Sequence, residues 1–297
     1  MIIVTGATGQ LGSAIVERLL ERVPAGRIGV SLRDPERAKG LAERGVRVRH
    51  GDFDDAPSLT HAFEAAEQIL VVSSATSGDA AVRQHRTAIE AAKAVGAGRI
   101  VYTSHMGSSP TSSFAPMLDH AATEAMLQQS GLEFTSLRNG FYASSALMLL
   151  GQALETGEVE APADGPVSWT AHADLAEAAT IALTDEGRLD GLTPALTGSE
   201  AIDLADIVEI AAQLSGRPIK RTVVSDDQYR RSLFSHGVPG PAADMLVGMF
   251  AASRQGEFAA VDPTLAKLLG RPPMTIRDVL QTRVLHDADE THERRHT

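Results

Sequence analysis

A glycine-rich loop near the amino terminus, "TGATGQLG", has the residue spacing with the clearest chemical meaning. Gly6, Gly9 and Gly12 lie where a short β-type run over 1–7 ends and a helical pattern begins. Glycines there permit a tight turn and let a pyrophosphate approach the helix amino terminus, which favours negative charge. The flanking strand and helix favour a dinucleotide site over a glycine-rich turn without a ligand. Its candidate contacts are Gly6, Thr8, Gly9, Gln10, Leu11 and Gly12.

The end of the second predicted strand, 27–32, bears on which nicotinamide cofactor is bound. An NAD site usually has an Asp or Glu there, about 20 residues beyond the glycines, that binds the ribose hydroxyls. This chain has Ser31 and Arg33 at that point. A guanidinium can bind the additional 2′-phosphate, so Arg33, with Ser31 as a second contact, predicts NADP(H). Asp34 argues against NADP(H), because it is an acidic residue close to the same strand end. The alternative interpretation of Arg33 is a solvated loop residue without a ligand.

Two further loops follow predicted strands and offer cofactor contacts. Asp52 and Phe53, in "HGDFDD", follow the third strand and suit hydrogen bonding and stacking against an adenine. Ser73 and Ser74 follow the fourth strand and suit the path toward the nicotinamide ribose. A turn-forming Asp and two small loop residues are the alternative interpretation, but the position at strand ends favours the cofactor.

The stretch "LDHAATEAM" (118–126) places His120 and Glu124 four residues apart on one face of a predicted helix. A histidine oriented by a carboxylate can act as a proton donor near neutral pH. A structural pair that links helix and loop has the same spacing. A zinc site is the least favoured interpretation, because two ligands at i and i+4 need a third convergent group and no H-E-x-x-H pattern is present. We therefore predict no metal.

Strands and helices that alternate strictly must position these residues. The predicted strands lie at 1–7, 27–32, 46–52, 68–74, 99–104 and 133–140, with helical patterns between them. This alternation predicts an α/β fold of the Rossmann type, with a doubly wound parallel sheet. We assign 1–140 to the dinucleotide-binding domain, which later segments complete, and 141–285 to a smaller, mostly helical substrate lobe. The charged tail 286–297 is predicted to be disordered.

Composition excludes several classes of partner. The chain has 38 Asp and Glu against 27 Lys and Arg, so no basic surface for nucleic acid is expected. It contains no cysteine, which excludes disulfides and thiolate chemistry. Neither a signal-peptide pattern nor an apolar run of membrane-spanning length is evident. We therefore expect a cytoplasmic protein without a membrane partner, and we regard a homodimer as a candidate assembly.

Motifs along nearly the whole chain resemble one known family. They are "TGATGQLG", "RDPERAKGL", "GDFDD", "QHRTAIEAAKAVG", "YTS", "HAATEAML", "LRNGFY", "ADMLVGMFAASRQGEF" and "LAKLLGRPP". Together they resemble the NmrA-like atypical short-chain dehydrogenases/reductases. Within that family they are most similar to the bacterial NAD(P)H:quinone oxidoreductase branch, which is related to the triphenylmethane dye reductases.

The resemblance implies NADPH-dependent reduction of a quinone or another electron-poor small molecule. It implies that "LRNGFY" approaches the nicotinamide, with Asn139 and Gly140 as cofactor contacts and Tyr142 at the reaction site. Relatives in the quinone branch continue with an acidic residue and an Asn where this chain has Ser144 and Ser145. The substrate contacts are therefore expected to differ.

The resemblance also identifies a departure in the catalytic residues. Conventional members of the superfamily use a Ser with a Tyr and a Lys in Y-x-x-x-K. Ser104 matches the Ser, but His120 and Glu124 stand where the Tyr and Lys are expected. A quinone yields a resonance-stabilised anion that water can protonate, so it needs a resident acid less than an isolated ketone does.

We therefore expect an NADPH-dependent reductase of quinone-like acceptors, with Ser104, His120 and Tyr142 as candidate catalytic residues. One alternative is a redox-sensing regulator that binds NADP(H) without turnover. Another is a reductase of the same fold that acts on an imine, an enone or a dye.

Overall fold

A seven-stranded, fully parallel β-sheet forms the centre of the computed structural model, which describes residues 1–185 and 187–282. Across these ranges, the strands are β1 (Ile2–Thr5), β2 (Ile28–Leu32), β3 (Arg47–His50), β4 (Gln68–Val71), β5 (Arg99–His105), β6 (Glu133–Asn139), β7 (Phe141–Tyr142), β8 (Glu158–Pro162), β9 (Trp169–Thr170), β10 (Gly191–Leu192) and β11 (Lys220–Val224).

The strand order of the central sheet is β3-β2-β1-β4-β5-β6-β10. The order reverses between β1 and β4, where open α/β sheets bind their ligands. Every residue of β1, β2, β4 and β5 is buried, as expected for strands covered by helices on both faces. The predicted Rossmann-type parallel sheet is therefore confirmed.

Helices cover both faces of this sheet and form much of the remaining chain. The helices in the described ranges include α1 (Gln10–Leu20), α2 (Lys39–Glu43), α3 (Ala56–Phe63), α4 (Asp79–Ala94), α5 (Pro116–Gln129), α6 (Ala143–Leu150), α7 (Ala153–Thr156), α8 (His172–Thr184), α9 (Leu204–Ser215), α10 (Asp226–Ser235), α11 (Gly240–Arg254) and α12 (Thr264–Leu269). Helix α8 packs against α1 and α12 on one face, and α4 packs between α3 and α5 on the other. Two segments from beyond residue 140, β10 and α8, thus join the dinucleotide-binding fold.

A second apolar cluster holds the remaining elements together. Phe141, Trp169, Phe250 and Phe258 are buried in it, with side chains from α6, α9 and α11 around them. Two small parallel sheets, β7 with β9 and β8 with β11, complete this lobe. The pattern "DMLVGMF" (244–250) ends in this core, because Met249 and Phe250 are buried. The tail at 286–297 lies outside the described residues.

Candidate active site

The loops predicted to bind a cofactor meet at one edge of the central sheet. All seven strands are parallel, so their carboxyl ends lie on the same side. This edge brings together the loop after β1, the turns after β2 and β3, the segment after β4 and the ends of β5 and β6.

The glycine-rich loop after β1 has the geometry that a pyrophosphate requires. Gly6 adopts φ +63°, in the left-handed region, and the Gly9 N–H donates to the Gly6 carbonyl at 3.0 Å. A Cβ on Gly12 would lie 2.2 Å from the Gly6 carbonyl oxygen, so only glycine allows α1 to pack this closely on the loop. Helix α1 has no side-chain cap at Gly9, which leaves its first N–H groups free for an anion.

The other residues of this loop that are predicted to contact the cofactor differ in their exposure to solvent. Thr8, Gly9 and Gln10 are exposed, whereas Leu11 and Gly12 are buried. The Leu11 side chain packs in the apolar cluster under α1, so only its backbone is available to a ligand. The loop fits a dinucleotide phosphate through its backbone.

The end of β2 contains one buried polar atom and exposed cations. Ser31 is buried, and its Oγ has no hydrogen-bond partner within the described residues. The Arg33 side chain is exposed, while the Asp34 carboxylate accepts the Glu36 N–H and so caps the following turn. Arg37, which the sequence reasoning missed, lines a cleft of about 270 Å³ together with Thr8. The motif "RDPERAKGL" contains both arginines, so its second arginine was the available signal.

The turns after β3 and β4 are tied to each other by a glutamine that the sequence reasoning also missed. Gln84, on α4, donates to Asp54 at 2.8 Å and accepts from the hydroxyl of Ser74. Asp52 accepts the Asp54 N–H at 3.0 Å, which is the turn-forming role considered for it. Phe53 is half-buried against the α3 and α4 cluster. Contact of Asp52, Phe53 or Ser74 with an adenine or ribose stays a prediction.

Ser73 is held by β5. Its N–H donates to Thr103 Oγ1 at 2.9 Å, and its hydroxyl accepts from the same oxygen at 3.3 Å. The segment after β4 is therefore fixed to its neighbouring strand, with the Ser73 hydroxyl still able to donate. Its cofactor role stays a prediction.

A buried carboxylate lies beneath the ends of β5 and β6. Glu124 Oε1 accepts from Ser104 Oγ at 2.8 Å and from Ser136 Oγ at 3.0 Å. Its Oε2 accepts from Ser108 Oγ at 3.0 Å, and Arg138 donates to both carboxylate oxygens at 3.0 and 2.7 Å. Burial raises the pKa of Glu124, but the hydrogen bonds and charge of Arg138 and the serine hydroxyls outweigh it and hold the pKa below its usual value.

His120 does not pair with Glu124. Its Nδ1 lies 2.8 Å from the hydroxyl of Tyr102, a buried residue of β5. The His120 ring is nearly parallel to that of His105, with 6.2 Å between ring centres. Burial lowers the pKa of His120 to about 4 even though Glu124 acts in the opposite direction. The structure thus separates the two residues into different networks, and Ser104 belongs to that of Glu124.

The segment after β6 contains three residues expected at the reaction site. Asn139 is buried, and its Oδ1 accepts no hydrogen bond within 1–185 and 187–282. Gly140 is also buried, and a Cβ there would lie 2.1 Å from Thr170 Oγ1, so internal packing already accounts for this glycine. The Tyr142 ring lies 4.4 Å from that of His172, and burial raises the pKa of Tyr142. Their contacts with cofactor or substrate stay predictions.

Within residues 1–185 and 187–282, no three His, Cys, Asp or Glu side chains come together as a metal centre would require. None of the helices in these ranges has both the length and the apolar character needed to cross a bilayer.

The parallel sheet, the glycine-rich turn and the uncapped helix define a Rossmann-type protein of the dinucleotide-binding class. The chain belongs to the NmrA-like family, whose model matches residues 1–276. The resemblance inferred from the sequence motifs is therefore confirmed.

Named relatives are similar over almost the full chain. Identity is 36% over 279 residues to quinone oxidoreductase 2 of Escherichia coli (strain K12), covering 94% of this chain and 96% of the relative. It is 29% over 280 residues to the NAD(P)H azoreductase of Xenophilus azovorans, with 94% and 96% covered.

Solved structures agree with this relationship. The NADPH-dependent quinone oxidoreductase of Escherichia coli, complexed with NADPH, matches with a TM-score of 0.89 at 35% identity, covering 96% of this chain and 99% of that one. The triphenylmethane reductase of Citrobacter sp., complexed with NADP(H), matches with a TM-score of 0.87 at 30% identity, covering 96% and 100%.

Proposed function

We propose that the protein is an NADP(H)-dependent reductase of quinones or similarly electron-poor small molecules. The observation that carries this proposal is the close approach of Gly12 to the Gly6 carbonyl beside the uncapped amino terminus of α1, a geometry that suits a dinucleotide phosphate. The names of the quinone oxidoreductase, azoreductase and triphenylmethane reductase relatives support the reductase activity.

Each part of the cofactor has candidate partners at the carboxyl edge of the sheet. The glycine-rich loop would bind the pyrophosphate, and the exposed Arg33 and Arg37 would bind the 2′-phosphate. Asn139, whose buried Oδ1 accepts no hydrogen bond within the described residues, would bind the nicotinamide end. The cofactor, when bound, supplies a hydride.

The ionisable groups around this edge favour an electron-poor acceptor. Burial raises the pKa of the Tyr102 and Tyr142 hydroxyls, so neither readily gives up a proton. His120 has its pKa lowered to about 4 and is neutral near pH 7. Glu124 is ionised and paired with Arg138. A quinone suits such a site because its reduced anion is resonance-stabilised, whereas an isolated ketone needs an acid that typically contributes about 10²–10⁴-fold.

An acceptor panel tests this proposal. We expect the protein to oxidise NADPH with a quinone, and to do so much faster than with an isolated ketone, as followed by NADPH absorbance. Turnover only with an azo dye, a triphenylmethane dye, an imine or an enone would contradict the quinone as substrate. It would indicate a reductase of the same fold with a different substrate class. Tight NADP(H) binding without oxidation by any acceptor would contradict the proposal and favour a redox-sensing regulator.

A further prediction concerns the preference for NADPH over NADH. The side chains of Arg33 and Arg37 form no ion pair within the part of the chain that the structure describes, so both are available for a phosphate. Removing a charged hydrogen bond costs about 1.5–3 kcal/mol. We expect Arg33→Ala or Arg37→Ala to raise the KM for NADPH about 10- to 100-fold and to leave the KM for NADH nearly unchanged.

The matched control is Arg27→Ala. Arg27 precedes β2 at the opposite edge of the sheet, where it pairs with Glu67. This variant should leave both KM values unchanged. Equal losses with NADPH and NADH in the Arg33 and Arg37 variants would contradict a role in binding the 2′-phosphate.

A further inference from the structure

The hydrogen bonds of His120 indicate which ring nitrogen carries its proton. Nδ1 lies 2.8 Å from the Tyr102 hydroxyl. Nε2 makes no hydrogen bond within the described ranges, and His120 is partly exposed. Because Nδ1 faces the buried Tyr102, the exposed side of the ring is the Nε2 side.

Tyr102 is positioned to donate to His120. It is 1% exposed, and its hydroxyl lies 2.8 Å from His120 Nδ1, with the Thr123 hydroxyl as a second polar neighbour. A buried hydroxyl that donates to no acceptor is costly, about 1–3 kcal/mol. Burial raises the pKa of Tyr102, so the hydroxyl keeps its proton. Donation to Nδ1 leaves Nε2 of neutral His120 with the ring proton.

The neighbouring histidine shows how the Thr123 hydroxyl is already bonded. The Ser74 N–H donates to His85 Nε2 at 2.9 Å, so neutral His85 carries its proton on Nδ1. That Nδ1 lies 2.8 Å from Thr123 Oγ1, which in turn donates to the Asp119 carbonyl at 2.8 Å. Thr123 thus already accepts one hydrogen bond and donates its only proton, and His120 Nδ1, at 2.8 Å, is the better placed acceptor for Tyr102.

We propose that His120 acts as a neutral hydrogen-bond donor, through Nε2–H, to the oxygen of the electron acceptor, and that Tyr102 is the positioning residue that holds this tautomer. The inference rests on the proposed reductase function. As the acceptor gains a hydride and its two electrons, negative charge develops on its oxygen, and Nε2–H stabilises that charge. Water then supplies the proton, so His120 keeps its own throughout.

The groups around His120 are compatible with a neutral ring. Tyr102 and His105 face it from β5, His85 from α4, and Glu124 lies one turn away on α5. Burial lowers the pKa of His85 and of His105 to about 3, so neither carries a charge near pH 7. A neutral imidazole can polarise a carbonyl without giving up its proton, which suits an acceptor that forms a stable anion.

Nitrogen NMR of the cofactor-free protein tests the tautomer without any turnover. The His120 signals are assigned by comparison with His120→Gln. At pH 7 we expect neutral His120 with its proton on Nε2, and Tyr102→Phe should shift the signal of the unprotonated Nδ1, because that nitrogen loses its hydrogen bond. An imidazolium, an Nδ1–H ring in the wild type, or an unchanged Nδ1 signal in Tyr102→Phe would overturn the assignment.

Kinetics with a quinone test the donor role. His120→Leu should lower kcat about 10²- to 10³-fold, the loss usual for one donor to a developing oxyanion, whereas His120→Gln, which keeps an N–H, should lose much less. The wild-type kcat should stay level between pH 6 and 8, while an imidazolium acid would lose activity above its pKa. Equal Kd values for NADPH would show that the variants are folded.

The outcomes separate the two proposals. A wild-type protein that oxidises no NADPH with any acceptor refutes the reductase function. An active wild type with an unchanged kcat in His120→Leu, or with activity that falls between pH 6 and 8, refutes only the role of His120.

Discussion

Replacing Gly12 with valine is expected to weaken NADP(H) binding severely. Even the first carbon of the new side chain would lie 2.2 Å from the Gly6 carbonyl oxygen and 2.7 Å from its carbon. Both are backbone atoms, so α1 must move away from the loop after β1. That movement displaces the helix N–H groups that would bind the pyrophosphate. We expect the Kd for NADPH to rise at least about 100-fold, since charged hydrogen bonds of about 1.5–3 kcal/mol each are lost.

Fluorescence titration of NADPH measures this change, and Gly40→Ala is the matched control. Gly40 lies in α2, and a Cβ there meets nothing within 4 Å. Alanine favours a helix over glycine by about 1 kcal/mol, so the control should bind normally and be no less stable. Normal NADPH affinity in a folded Gly12→Val protein would contradict the location of the cofactor site, and with it the proposed function.

The central fold was predictable because its signals are local. Each of the six predicted strands is a short β-type segment followed by a turn or helix signal, and each is present in the sheet. Gly6, Gly9 and Gly12 were predictable for the same reason, since their spacing and their neighbouring strand and helix are contiguous in sequence. The seventh strand was not, because β10 has only two residues and depends on pairing with β6.

The partners of His120 and Glu124 were not predictable, because they depend on distant contacts. The four-residue spacing suggested a pair, yet His120 contacts Tyr102, which is 18 positions away, and Glu124 contacts Arg138, which is 14 away. Residues at i and i+4 share a helix face but can project toward different strands. Only the packing of α5 on β5 and β6 decides which partner each side chain meets.

Glu124→Ala is expected to destabilise the folded protein strongly. The side chain is 4% exposed and accepts hydrogen bonds from three serines and from Arg138. Removing one partner of a buried ion pair costs about 3–5 kcal/mol, because the other charge is left uncompensated. The Arg138 side chain keeps 31% exposure, so we expect the lower end of that range, about 3 kcal/mol, in urea unfolding.

Glu36→Ala is the control for a carboxylate on the surface. Glu36 pairs with Lys39, and both side chains are about 70% exposed. Exposed pairs contribute about 0–1 kcal/mol, so this variant should be nearly as stable as the wild type. Equal losses for the Glu124 and Glu36 variants would show that the buried network adds nothing to stability.

The pH dependence of the same network follows from the direction of its pKa shift. Hydrogen bonds and the charge of Arg138 hold the pKa of Glu124 below its usual value despite the opposing effect of burial. The unfolded chain, with a glutamate pKa of about 4.3, then binds this proton more readily than the folded protein. The stabilisation is complete above that pH and is lost as the pH falls through the lower, folded pKa.

Measured by urea unfolding, the advantage of the wild type over Glu124→Gln should therefore be constant between pH 6 and 7 and shrink toward pH 3. An advantage that grows on acidification would contradict an ionised Glu124 in the folded protein.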